Sequence, residues 1–263
     1  MRLHVHEWGD PASPAVVCVH GVSAHGRRFR RLAEEYLAAG YRVLAPDLRG
    51  HGRSQYDPPW DLPTFVDDLL ETIGESDPVA WIGHSFGGRL ILELAAREPG
   101  RIRSAVLLDP AIQLLPHVGF DFAQEAAKDH AYTSADEAIE ARLTSGSLTP
   151  RPLLEEEARE HLEPSADGLL RWRCARAAVA TMYSELCLEP PPPTVLEGIP
   201  SLLVHASHFG LVREEQLTAY EDALGDGLEV VGVDGGHVVY WDAFGETAAA
   251  IERFLTRQAP ATR

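Results

Sequence analysis

The segment Gly-His-Ser-Phe-Gly-Gly, residues 83–88, constrains the possible fold more than any other part of this sequence. It follows the apolar residues 79–82 and precedes residues 89–96, whose apolar side chains have helical spacing. A strand, the pattern G-x-S-x-G and a helix in this order place one serine hydroxyl on a sharp turn above a parallel sheet. Glycines around Ser85 suit this strained turn because they leave space for neighbouring backbone. The segment therefore predicts an α/β fold with a serine at one edge of the sheet.

Three other segments have features that agree with this prediction. Residues 15–22 form an apolar run that ends in a His-Gly turn, and residues 41–54 form a second run followed by a loop with several glycines. Near the end of the chain, residues 228–233 predict a strand, and Asp-Gly-Gly-His follows it. At these residues the chain resembles the α/β-hydrolase family, in particular small serine esterases and lipase-like hydrolases with a helical cap. The resemblance covers nearly the whole chain outside residues 112–195.

The resemblance implies a mostly parallel sheet flanked by helices, with an inserted all-helical cap. Residues 1–111 and 196–263 would form the hydrolase core, and residues 112–195 the cap. Between residues 112 and 195 the alternation of strands and helices stops. Capping residues, prolines and apolar periodicity predict three helices there, near residues 134–143, 150–161 and 175–186. Four prolines at residues 190–193 predict the connection back to the core.

Length, hydrophobic content and cysteine content indicate the size of the core and the cellular location of the chain. With 263 residues and 45% hydrophobic content, it can bury one large core and an inserted subdomain. No apolar stretch approaches the ~20 residues that span a membrane, and the first residues lack the apolar region of a signal peptide. Three cysteines form no disulfide framework, which favours reduced thiols and a cytoplasmic location. A bridge between Cys174 and Cys187 is the alternative.

The net charge limits the partners. A charge of −17 argues against nucleic acid as a partner, because phosphates are bound by clustered Lys and Arg. It also disfavours strongly anionic substrates, since the summed field repels them. We therefore expect a small ester of a neutral, moderately apolar acid as substrate. No sequence pattern indicates an oligomeric state.

The resemblance implies nucleophilic catalysis by Ser85. A serine hydroxyl is a poor nucleophile unless a base takes its proton, and His237 lies on the loop where the family has its histidine. The negative oxygen that forms during the reaction needs two fixed N–H donors. We expect the backbone of Phe86, directly after the nucleophile, to supply one donor and that of Val22 the other.

The acid that orients the histidine is where the sequence departs from the common pattern of the family. The usual position follows the predicted strand at residues 201–205, and there this chain has Phe209, which cannot accept a hydrogen bond from the histidine. Some family members place the acid after the strand that follows the nucleophile helix, and Asp109 occupies that position. We therefore predict Asp109 as the acid. Glu214, Glu215 and Asp234 are the alternatives, although the two glutamates suit a helix start better.

Other clusters have simpler explanations than binding sites. His4 with His6, and His205 with His208, resemble metal-binding pairs, but no third ligand type lies near either pair in sequence. The acidic residues 155–157 are typical of a solvated helix face. Neither GxGxxG nor GxxxxGK[ST] occurs after a strand, so the glycine-rich segments are no cofactor cradle. We expect neither a metal nor an organic cofactor.

These residues predict a carboxylesterase or lipase-like serine hydrolase. Hydrolysis of carbon–carbon bonds, perhydrolysis and acyl transfer to an alcohol are alternatives on the same residues, and a non-catalytic ligand-binding homologue is an alternative of another class. The cap is expected to select the acyl group, with Val22, Phe86 and Val238 at the floor of the pocket. Cap side chains are either part of the pocket or part of the cap's own core. The remaining candidates for the pocket are Trp172, Met182, Tyr183 and Phe209.

Overall fold

The computed structural model describes residues 1–74, 77–208 and 210–258. The strands are β1 (Val5–Trp8), β2 (Ala15–Val19), β3 (Arg42–Pro46), β4 (Val79–His84), β5 (Ile102–Leu108), β6 (Leu162–Pro164), β7 (Leu170–Trp172), β8 (Ser201–Ala206) and β9 (Leu228–Val233). The α-helices are α1 (Arg30–Leu32), α2 (Leu62–Ile73), α3 (Phe86–Arg97), α4 (Pro116–Ala127), α5 (Ala135–Thr144), α6 (Arg151–His161), α7 (Arg176–Glu185), α8 (Glu214–Leu224), α9 (Val239–Asp242) and α10 (Phe244–Gln258). Among the described helices, none combines the length and apolarity needed to cross a bilayer.

Seven strands form one sheet in the order β1-β3-β2-β4-β5-β8-β9. β1 is antiparallel to β3, and all other neighbours in this sheet are parallel. The mostly parallel sheet predicted from the sequence is therefore confirmed. Because the carboxyl ends of parallel strands meet at one edge, the residues that follow β2, β4, β5 and β9 lie near one another. This edge carries the candidate active site.

The sheet is buried on both faces, as its apolar strands predict. Neighbouring side chains of β4 point to opposite faces, so that Trp81 and Ile82 belong to two different hydrophobic clusters. Phe65 of α2 packs in the cluster of Trp81, and Phe29 packs in that of Ile82. The helices of the core therefore cover the sheet from both sides.

The helical region between β2 and β3 is irregular. A 3-10 turn (Gly26–Phe29) leads into α1, which continues as a π-helical turn (Ala33–Leu37). The N–H of Gly26, at the start of this region, donates to the Oδ1 atom of Asp47 at 2.8 Å, a side-chain partner for one of the N–H groups that a helix start leaves without one. Shorter 3-10 turns lie at Pro99–Arg101, Pro193–Leu196 and Gly225–Gly227.

The insertion between β5 and β8 is not entirely helical, which corrects the prediction of an all-helical cap. β6 and β7 form an antiparallel hairpin, Leu162↔Trp172 and Pro164↔Leu170. Its turn contains Asp167 and Gly168, and Gly168 has φ +83°. The Asp-Gly pair is a signal in the sequence for this hairpin.

The insertion also contains α4, which the sequence analysis did not predict. α4 lies against α7 and the turn after it. A Cβ atom on Gly119 would be 2.1 Å from the Sγ atom of Cys187, just after α7, and 3.1 Å from the carbonyl oxygen of Tyr183 in α7. The absence of a side chain at Gly119 therefore gives space to the Cys187 side chain. Cys18, Cys174 and Cys187 are all free thiols, so the alternative of a Cys174–Cys187 bridge is wrong.

Candidate active site

Ser85 lies at the turn between β4 and α3 with φ +54°, a region that non-glycine residues rarely occupy. The turn brings Ser85 against the loop after β2. A Cβ atom on Gly21 would lie 2.8 Å from the Cβ of Ser85, and one on Gly87 would lie 2.1 Å from the carbonyl oxygen of Val19. The absence of side chains at these two glycines therefore allows the strained turn to pack against the β2 loop.

His237 lies in the turn after β9, beside the strand end that carries Ser85. The Nε2–H group of His84 donates a hydrogen bond to the carbonyl oxygen of His237 at 2.9 Å, and the two rings are 4.6 Å apart. Burial and the nearby His237 ring hold the pKa of His84 well below its usual range, so His84 is neutral. The residue before the serine thus positions the backbone of the histidine loop.

Asp109 directly follows β5 and is fully buried. Its Oδ2 atom lies 2.5 Å from Nδ1 of His237 and also accepts the N–H of Leu211 at 3.1 Å. The Oδ1 atom accepts the N–H of Ala206, at the end of β8, at 3.2 Å. Asp109 has φ +39°, so its backbone is also in the sparsely populated left-handed region. One N–H group from the end of β8 and one from the segment after it thus hold the carboxylate that faces the histidine.

The three alternative carboxylates, those of Glu214, Glu215 and Asp234, do not hydrogen bond the ring of His237 in the described structure. Glu214 and Glu215 begin α8, where Glu215 pairs with Arg213 at 2.6 Å. Asp234 pairs with His208 at 2.8 Å on the surface. Within the ranges that the structure describes, neither glutamate nor Asp234 hydrogen bonds the ring of His237. The geometry therefore favours Asp109.

The loop after β2 carries the second expected N–H donor. The N–H groups of Val22 and Phe86 donate no hydrogen bond to any described residue, so both are available to a ligand. His20 braces this loop: its Nδ1–H donates to the carbonyl of Gly21 at 2.8 Å, and its Nε2 accepts the N–H of Leu48 at 2.8 Å. Burial lowers the pKa of His20 well below its usual range, consistent with a neutral, structural ring.

A cavity of about 710 Å³ lies mainly within the insertion, and two of the expected pocket residues line it, Trp172 and Tyr183. Met182 does not line this cavity. Its side chain is fully buried in the same hydrophobic cluster as Phe86. Val238 is half-buried, and its N–H donates to Oδ2 of Asp242 at 3.2 Å. Phe209 lies outside the described residues.

His4 and His6 do have a third neighbour of ligand type, which the sequence spacing did not reveal. Asp47 follows β3, and its carboxylate oxygens lie within 4.8 Å of ring nitrogens of both histidines. The Nε2 atom of His6 is 3.1 Å from Asp47 Oδ1, and the same carboxylate accepts the N–H groups of Gly26 and Arg53. Asp47 thereby ties β1 to two loops of the core. The pairing of β1 with β3 brings these residues together.

Comparison with known proteins agrees with this architecture. A family model described as alpha/beta hydrolase fold matches residues 14–244. Lipase LipV of Mycobacterium tuberculosis is 35% identical over 96% of this chain and 97% of its own length. A putative non-heme haloperoxidase of Mycobacterium phage D29 is 31% identical over 84% of this chain and 80% of its own length.

Among solved structures, E-2-(acetamidomethylene)succinate hydrolase superposes with a TM-score of 0.82 and 24% identity, over 97% of this chain and 95% of that one. At this identity the likeness concerns the fold alone. The family model and the LipV relative each extend over most of the chain, including the turn of Ser85 and the loop of His237. The protein therefore belongs to the alpha/beta-hydrolase family and is a hydrolytic enzyme.

Proposed function

We propose that the protein hydrolyses carboxylic esters through an acyl-enzyme on Ser85, with His237 as general base and Asp109 as the acid that orients it. The observation that carries this proposal is the 2.5 Å contact between Asp109 Oδ2 and His237 Nδ1. A ring whose Nδ1–H donates to a carboxylate keeps Nε2 free to accept a proton. The proposed base lies on a loop that is hydrogen bonded to the residue before Ser85.

In the first half of the reaction, Nε2 of His237 takes the proton of Ser85 Oγ as this oxygen bonds to the ester carbonyl carbon. The N–H groups of Phe86 and Val22 stabilise the negative charge that develops on the carbonyl oxygen. When the carbonyl forms again, the bond from carbon to the alcohol oxygen breaks. The imidazolium passes its proton to that oxygen, and the alcohol leaves.

In the second half, water replaces the alcohol. His237 takes one proton from the water as its oxygen attacks the acyl carbon, and the same two N–H groups stabilise the second oxyanion. The bond to Ser85 Oγ then breaks, and His237 returns the proton to Ser85. The net reaction adds one water across the ester bond and regenerates the enzyme.

The names of relatives agree with an ester substrate. Besides lipase LipV, a monoacylglycerol lipase of Mycolicibacterium smegmatis is 34% identical over 43% of this chain and 44% of its own length. We further propose that the insertion, residues 112–195, is a cap that selects the acyl group, since most residues that line the large cavity belong to it. Its aromatic side chains suit a moderately apolar acyl chain.

Two measurements test the proposed reaction. The protein should hydrolyse p-nitrophenyl acetate or butyrate, and a fluorophosphonate probe should label Ser85 and no other serine, as read by peptide mass spectrometry. Hydrogen peroxide or a primary alcohol added to the same assay separates perhydrolysis and acyl transfer from hydrolysis. A protein that binds the ester without turnover, and whose Ser85 does not react with the probe, would contradict the proposal.

A further inference from the structure

A cluster of buried charges connects the insertion to the loop after β2, and its charges do not balance. Glu157 of α6 has an almost fully buried side chain. Its carboxylate accepts hydrogen bonds from Arg28 Nε at 2.8 Å and from His25 Nε2 at 3.0 Å. A second guanidinium, that of Arg142, lies 3.8 Å from the same carboxylate. Two arginines therefore face one carboxylate, which leaves an excess positive charge.

Arg142 is the side chain that carries this excess. Among the described residues its guanidinium has no hydrogen-bond partner, and it lies over the ring of Trp172 at 4.1 Å. Only 25% of its side chain is exposed. Burial and the charge of Arg28 lower the pKa of Arg142 to about 10, so the group is still cationic at neutral pH. A desolvated cation that lacks hydrogen-bond acceptors favours an anionic ligand.

The guanidinium of Arg142 lines the cavity of about 710 Å³. Other basic groups there already have partners: Arg171 pairs with Asp129 and Asp167, and Lys128 pairs with Glu125. The Tyr183 hydroxyl also lines the cavity and hydrogen bonds no described residue, and burial raises its pKa so that it stays a donor. Arg142 and Tyr183 thus both line the cavity, and the guanidinium and the hydroxyl hydrogen bond no other described residue.

The cavity lies beside the proposed oxyanion site and away from the histidine. Ser23, the residue after Val22, lines it, and Gly21 packs against Ser85. Consecutive Cα atoms are about 3.8 Å apart, so the cavity wall at Ser23 is within roughly 8 Å of Gly21. None of the described residues from 234 to 242 lines the cavity. Because the leaving alcohol must face His237, this position of the cavity favours the acyl chain as the part of the ester that enters it.

We propose that Arg142, with the Tyr183 hydroxyl, binds a carboxylate at the far end of the acyl chain, so that the substrates are monoesters of dicarboxylic acids. This inference rests on the proposed ester hydrolysis and specifies its substrate class. It revises the neutral acid that the net charge of −17 suggested. Surface charges more than about 8–10 Å away are screened by salt, whereas Arg142 acts in direct contact.

Matched ester pairs test the inference. The monomethyl esters of succinic, glutaric, adipic and suberic acids each carry a free carboxylate, and the corresponding monoamide methyl esters have the same shape without the charge. For at least one chain length, kcat/KM of the carboxylate should exceed that of the amide by roughly 10- to 100-fold. Arg142→Gln should reduce this ratio to within about threefold of unity, and Arg142→Lys should retain part of it. Arg171→Gln, a cavity residue that already has two partners, should keep the wild-type ratio.

Equal rates on both members of every pair in the wild-type enzyme, or an undiminished ratio in Arg142→Gln, would overturn the inference and leave ester hydrolysis standing. If Arg142→Gln does not fold, the kcat/KM ratios of carboxylate to amide esters in the wild-type enzyme and in Arg142→Lys test the inference. Calorimetry with Ser85→Ala protein and monomethyl adipate measures the carboxylate site without turnover. One outcome separates the two proposals: monomethyl adipate binds to Ser85→Ala protein, Arg142→Gln removes this binding, and Ser85 of the wild-type protein does not react with the probe. This outcome would contradict the proposed function and support the anion site.

Discussion

Asp109 and His237 are 128 residues apart in sequence, and their Oδ2 and Nδ1 atoms are 2.5 Å apart in the structure. The contact exists because β5 and β9 flank β8, so the loops after the two outer strands meet over its end. The backbone N–H groups of Ala206 and Leu211 hold the carboxylate from this middle position. The end of β8 and the segment after it therefore contribute N–H donors to the carboxylate of Asp109.

Asp109→Asn should lower kcat by roughly 10²–10⁴ with little change in KM, because the amide cannot stabilise the imidazolium or hold its tautomer. The assay is p-nitrophenyl ester turnover under saturating conditions. Glu214→Gln and Glu215→Gln are the controls, and each should change kcat less than tenfold. Retained activity in Asp109→Asn would exclude Asp109 as the acid and leave Ser85 and His237 in place.

Ser85→Ala should lower kcat by about 10⁶, since the variant cannot form the acyl-enzyme. The substitution keeps the Cβ atom and removes only a hydroxyl, so thermal unfolding should change little. Ser207→Ala, an exposed serine near Asp234, is the matched control and should behave as wild type. One tenth of the wild-type activity remaining in Ser85→Ala is incompatible with the proposed nucleophile.

Gly21→Ala should impair catalysis without removing any reacting group. The added Cβ would lie 2.8 Å from that of Ser85, so the turn or the β2 loop must shift. A displacement of about 1 Å at the reacting atoms costs roughly 100-fold in rate. Gly40→Ala is the control because no atom lies within 4 Å of its added Cβ. Equal kcat values for the two variants would show that the site tolerates the shift.

Substitutions of Tyr183 and Met182, two neighbouring residues of α7, should affect different properties of the enzyme. Tyr183→Leu alters the wall of the cavity and should change the ranking of p-nitrophenyl esters by acyl length. Met182→Ala removes a fully buried side chain and should lower the free energy of unfolding by about 2–5 kcal/mol while the ranking stays the same. Urea unfolding and an ester panel measure the two effects. A ranking altered only by Met182→Ala would reverse these assignments.

Stability should fall as the pH drops below about 6.5. Burial lowers the pKa of five histidines: His4, His20, His51, His84 and His161. The pKa of His51 falls to about 4. Below 6.5 the unfolded chain binds protons that the folded chain excludes, so the stability present above this pH is lost. Each such histidine contributes up to about 1.4 kcal/mol per pH unit.

Urea unfolding at pH 7.5, 6.5 and 5.5 measures this loss. His161→Gln should reduce the pH dependence by the share of one histidine, since it removes one buried ring. His117→Gln, at an exposed position of α4, should leave it unchanged. A free energy of unfolding that is constant over this range would show that the folded and unfolded chains take up equal numbers of protons, which contradicts the lowered pKa values.

The sequence alone was sufficient for the core architecture and for the order of its main segments. Ser85, the loop of His237 and the strand before Asp109 belong to local patterns in which apolar runs, glycines and chain direction specify the backbone. Parallel strands bring their carboxyl ends together, so the candidate residues could be assigned to one edge before any distance was known. The catalytic roles of these residues stay predictions for the variants above.

Only the tertiary structure decided which distant side chains meet. Four features depend on packing between separate segments: the hairpin of the insertion, the burial of Met182, the proximity of Asp47 to His4 and His6, and the position of Arg142 at the cavity. Apolar periodicity shows that a helix has a buried face but does not show what this face packs against. Whether a cap side chain belongs to a core or to a pocket is therefore a property of the assembled chain, because both positions favour the same apolar residue types.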